Sequence, residues 1–71
     1  MFYKTPNELM INLDLVTSFE KVINDGSYMI IFYYIYHSNQ SIVVFNKESS
    51  LKAEYDKIIR ALKANKENVI I

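Results

Sequence analysis

The stretch "YMIIFYYIYH", Tyr28 to His37, places β-forming side chains that are apolar or aromatic on both sides of a single strand. Successive side chains of a pleated strand alternate, so Tyr28, Ile30, Phe32, Tyr34 and Tyr36 share one face. Met29, Ile31, Tyr33, Ile35 and His37 share the other. "IVVF" repeats the pattern, with Ile42 and Val44 opposing Val43 and Phe45. An antiparallel sheet with one wet face alternates apolar with polar residues, whereas apolar residues on both faces mark burial on both sides. A chain of 71 residues has room for one good helix, and one helix covers one face. Leaving an apolar side chain wet forgoes about 1.5 to 3 kcal/mol relative to full burial. The second face is therefore expected to meet another copy of the chain, the chain's own ends, or a ligand.

Size sharpens this demand. Domains this short gain only a thin margin from one apolar core and often rely on a disulfide, a metal or a partner chain. There is no Cys, and His37 is the only His, so a Cys/His zinc site is excluded and nothing points to an oxidising compartment. Six Tyr and four Phe against a single Gly and a single Pro fit a folded chain with few loops. Eight basic residues balance eight acidic ones, which removes any long-range attraction to nucleic acid or to an anionic membrane. The opening "MFYKTPNELM" has no basic start leading into an apolar stretch, and the apolar runs fall short of the roughly 20 residues of a membrane helix. A soluble, cytoplasmic protein without membrane contact is expected.

Along the chain, strands are expected at about 2–5 and 9–12, around a turn at Pro6 and Asn7. Asn12 and Asp14 are spaced to bond nearby backbone, which favours a break or a single 3₁₀ turn over Asn12 to Leu15. The next strand, at about 16–24, puts Thr17, Phe19, Lys21 and Ile23 on one face and Val16, Ser18, Glu20 and Val22 on the other. "NDGS" is the strongest turn signal, because Asp-Gly supplies the positive φ angles of a tight hairpin. Strands at about 28–37 and 41–46 complete a meander. From Ser49 or Ser50 the period changes: Leu51, Tyr55, Ile58, Ile59 and Leu62 form one helical stripe, with Lys52, Asp56, Lys57, Arg60 and Lys63 largely opposite. A helix over about 49–64 and an apolar tail at 69–71 follow. The expected fold is α+β, a four- to five-stranded antiparallel β-meander in one domain over 1–71, with one C-terminal α-helix packed on one face.

Chemical candidates are few. His37 and Ser38 adjoin on a strand, where neighbours point to opposite faces, and no Gly-rich elbow accompanies them. Asp14 and Glu20 lack further ligands at metal spacing. No catalytic residue, metal or cofactor is expected. The aromatic row carries more weight. A strand face of aromatics can stack unpaired bases, but it also needs a cationic groove for phosphates.

The string "INLDLVTSFEK", then a hairpin, then "VVFNKESSLKAEYDKIIRAL", resembles the FlbD-type flagellar proteins of bacteria. The likeness runs from about Thr5 to Leu62, and Asn12 to Glu20 and Val43 to Ser49 carry it. It implies a small β-meander with a helix, in a bacterial or phage chain, and assigns no catalytic residue.

The expectation is a non-enzymatic protein-interaction module that self-associates through its sheet, most simply as a homodimer. Its contact residues are expected to be Tyr28, Phe32, Tyr34 and Tyr36, with Ile70 and Ile71 as accessory contacts. The alternative is a small single-stranded nucleic-acid binder using Tyr34 and Tyr36 with Lys52, Lys57, Arg60 and Lys63.

Overall fold

The computed structural model describes residues 1–36 and 38–64. It is a small α+β fold of two antiparallel sheets and one C-terminal helix. A hairpin of β1 (Phe2–Lys4) and β2 (Met10–Asn12) comes first. A 3₁₀ turn over Leu13–Leu15 leads into the meander of β3 (Val16–Asn24), β4 (Ser27–Tyr34) and β5 (Gln40–Phe45). The helix α1 spans Glu48–Ala64.

The first hairpin turns where Pro6 and Asn7 are placed, closed by the Glu8 N–H donating to the Thr5 carbonyl at 2.9 Å. Glu8 then takes a left-handed φ of 69°, and the Leu9 N–H donates to Thr5 Oγ1 at 2.9 Å. Thr5 is buried at the base of this turn, with its hydroxyl also bonded to Asn7. In the central hairpin, Asp25 (φ 47°) and Gly26 (φ 79°) link the paired Asn24 and Ser27, the two-residue loop that Asp-Gly suits.

The expected single meander is divided into two sheets because the backbone bonds around Asn12 are diverted. Asn12 Oδ1 accepts the Asp14 N–H at 3.1 Å, and the Leu13 N–H donates to the Met1 carbonyl at 2.8 Å. These bonds turn the chain out of β2 before β3 begins, and the N-terminal ammonium meets the Asp14 carboxylate at 3.0 Å.

Two further details differ from expectation. First, Val16 pairs with Tyr34 while Ser18 pairs with Tyr33, so Thr17 bulges out of the ladder. The bulge moves Val16 onto the face of Phe19, where it packs against the core, instead of the face of Ser18 and Glu20. The Thr17 hydroxyl bonds the Tyr33 carbonyl across it at 3.1 Å. Second, β4 stops at Tyr34, short of residue 37, because its partners end. Tyr34 faces the first residue of β3, and Tyr33 faces the first residue of β5.

The core lies between the three-stranded sheet and a cover made of both the helix and the first hairpin. Ile30, Phe32, Val43 and Phe45 from the sheet meet Leu51 and Ile58 from α1 and Tyr3 and Ile11 from β1 and β2. Phe32 sits at its centre, its ring 5.7 Å from that of Phe19 and 6.1 Å from that of Tyr3. The predicted helical stripe is the buried one, and α1 starts at Glu48, one residue before the expected boundary. At the β3 side the Tyr55 ring tilts against Phe19 at 5.5 Å, and Lys21 Nζ lies 4.8 Å from the Tyr55 centroid, closing that flank with a cation–π contact.

Hairpin and helix are tied by the Tyr3 hydroxyl, which donates to Glu54 Oε1 at 2.6 Å. Burial, then the hydrogen bond and charge of Glu54, raise this phenol above its ordinary 10.0. The folded chain therefore holds this proton where the unfolded chain releases it, so stability is intact below pH 10 and falls as pH rises beyond it. Tyr3→Phe is expected to flatten this alkaline loss and to cost about 1.5 to 3 kcal/mol near neutrality, as a bond to a charged acceptor is lost. Urea titrations of both proteins at neutral and alkaline pH check this.

Candidate interaction surface

The Asp-Gly turn sets the register of β3 and β4, and the register decides what each face carries. On the side away from α1, Ser18, Tyr33 and Gln40 form one row across the three strands. Glu20, Ile31 and Ile42 form the next, and Val22, Met29 and Val44 the third. The strand edge at Asn24 and Ser27 closes that end with polar groups. The middle of this face is thus Ile31, Met29, Ile42, Val44 and Val22, with polar residues at both ends.

Burial agrees that the described residues leave this side uncovered. Val44 is 67% exposed and Ile42 46%, against 4% and 7% for their strand neighbours Val43 and Phe45. Met29, Ile31, Val22 and Tyr33 are half-buried. The charge on this face is engaged by its neighbour, since the Tyr33 hydroxyl donates to the Glu20 carboxylate. That bond, ahead of a small burial effect, raises the Tyr33 phenol above its ordinary value. An apolar centre with a polar margin is the build of a protein contact surface.

The residues singled out from sequence are distributed differently. Phe32 is fully buried in the core, and Tyr28 and Tyr34 flank that core on the helix side. The Tyr34 hydroxyl bonds that of Ser41. Tyr36 is 80% exposed, in a bend past the end of β4. The structure therefore does not gather these four on one open surface. His37, Ile70 and Ile71 lie outside the described residues. Lys52, Lys57, Arg60 and Lys63 are exposed on α1, which occupies the opposite side of the sheet from the open apolar rows. Lys52 is paired with Glu48 at 2.8 Å.

A signal for the open face is present in the sequence. Pairing Asn24 with Ser27 across Asp-Gly aligns Phe19 with Phe32 and Glu20 with Ile31. The face holding Phe19, Phe32 and Phe45 has the greater apolar volume and no acid, and it is the one that becomes core.

Comparison of the chain with known protein families, with curated proteins and with solved structures found no match to any of them. No helix among the described residues is long and apolar enough to cross a membrane.

Proposed function

We propose that this chain is a non-enzymatic protein-interaction module that associates with copies of itself through its three-stranded sheet. The observation that carries the reading is the open face, where Ile31, Ile42, Met29 and Val44 adjoin without an intervening charge. A formal net charge of zero adds no long-range repulsion between copies. The resemblance to FlbD-type flagellar chains adds to this reading a bacterial or phage origin, and its shared positions are structural.

Val44→Lys tests the reading. The side chain is mostly exposed, so the fold is expected to stand within about 0.5 kcal/mol, as for ordinary surface changes. The ammonium would be desolvated in a contact made through the open face, and would replace an apolar partner with a charge in a contact made along the edge of β5, so the mass of the variant is expected to fall toward that of one chain. Sedimentation of both proteins over a concentration series reads this directly. A wild-type chain that stays at single-chain mass throughout would remove the proposal. Gain of salt-sensitive binding to a single-stranded oligonucleotide, lost in Tyr36→Ala, would support the nucleic-acid reading instead.

A further inference from the structure

The strand order β3-β4-β5 leaves two outer edges, and they are not equally protected. β3 carries the Thr17 bulge and the adjacent charges Glu20 and Lys21, devices that discourage a further strand from pairing. β5 carries none of these. Gln40–Phe45 has no charge, Pro or Gly, and its register with β4 runs unbroken from Gln40 to Phe45. Among the described residues no strand lies on its outer side. A regular edge of this kind is a template for main-chain pairing.

We propose that two copies of the chain join edge to edge, β5 against β5, antiparallel about a two-fold axis normal to the sheet at Val43. The inference rests on the reading that copies associate through the sheet, and it names which part does so. Symmetry limits the choices. Residues opposed across an antiparallel ladder share a face, so the axis must pass through a residue position and not between two.

Two axis positions overlap the strand equally well. An axis at Ile42 would set Val44 against Gln40 of the second copy, leaving the most exposed apolar side chain of the strand beside an amide. An axis at Val43 sets Ile42 against Val44 of the second copy, twice by symmetry, and Val43 against itself. The second arrangement pairs exposed apolar residues with each other, which is the favourable cross-strand choice.

Charge does not oppose the pairing. Within the overlapped strand no like charges meet, since Gln40–Phe45 carries no charge. The result is one continuous sheet with three strands from each copy and both helices on the same side. The two open faces merge across Ile42 and Val44. A parallel pairing would put the helices on opposite sides, separate those faces and form the slightly weaker ladder.

The absence of Cys makes the test clean, because Ile42→Cys and Val44→Cys each carry a single thiol at an exposed position. The two variants are mixed in equal amounts at associating concentration and oxidised mildly. The expected result is a mixed 42–44 disulfide well above its statistical share, with both symmetric disulfides depleted. Amide exchange of the unmodified chain is measured alongside, and β5 amides are expected to slow as concentration rises. Association with statistical disulfides and concentration-independent β5 exchange would overturn the edge pairing while leaving sheet association in place. A chain that is monomeric at every concentration overturns both. Protection of the β5 edge in a monomer would assign it to another segment of the same chain and likewise overturn the proposal.

Discussion

Phe32→Ala is expected to unfold this protein at ordinary temperature. The side chain is fully buried and contacts the rings of Phe19 and Tyr3, so its removal loses packing from the sheet and the hairpin together. Phe→Ala in a core costs about 3 to 5 kcal/mol. A domain of this length has a total stability of about 4 to 10 kcal/mol, by the usual 0.05 to 0.15 kcal/mol per residue. The loss is therefore at least about a third of the total and, at the lower end of that range, all of it. Loss of near-ultraviolet circular dichroism and of a cooperative thermal transition would register it. A variant that melts within a few degrees of the parent would show that Phe32 is not central to the core.

Leu51→Ala carries the second largest effect, about 2 to 5 kcal/mol, since Leu51 is fully buried near the start of α1. Its consequence is more local in kind. Leu51 and Ile58 are the buried residues by which the helix holds to the sheet. Weakening the first of these loosens the turn that follows Phe45 and the Tyr3 to Glu54 bond. Faster amide exchange in α1 and β1 than in β3 and β4 is the expected pattern. Uniform acceleration over the whole chain would show instead that helix and sheet open as one unit.

Much of this arrangement was legible in the residues, because its signals are local. Asp25-Gly26 determines a hairpin and through it the register of two strands. The spacing of Leu51, Tyr55, Ile58 and Leu62 determines which side of the helix is buried. Asn12 bonds its own chain two residues on, as the expected break over Asn12 to Leu15 requires. The opening puzzle of "YMIIFYYIYH" also has its answer in part: hairpin and helix share the cover of one face, and the other carries exposed Ile42 and Val44 beside half-buried Met29 and Ile31.

What was not legible depends on choices between faces. Aromatic side chains suit a contact surface and a core equally well, so the row of Tyr28, Phe32 and Tyr34 gave no means of choosing. Phe19 decides the matter, because its stacking on Phe32 across the ladder concentrates apolar volume there. The end of β4 was hidden for a similar reason. Ile35 and Tyr36 have every intrinsic reason to be extended, and only the lengths of the neighbouring strands stop the ladder at Tyr34. The division into two sheets was legible only as the break over Asn12 to Leu15; the bonds from Met1 to Leu13 and Asp14 that complete it join residues distant in sequence, which no local pattern announces.

The unpaired Thr17 stands outside the parity of the chain. A strand carries its side chains strictly odd and even, so one residue more or less in the paired run decides whether everything upstream arrives above or below the sheet. Removing Thr17 itself would leave Val16 beside Ser18 and still on the aromatic side, because the ladder already skips the bulged residue, whereas losing one residue from the regular run between Ser18 and Asn24 would send everything upstream of it to the wrong side. A change at the bulge is therefore cheap, whereas a change in the length of the paired run is not.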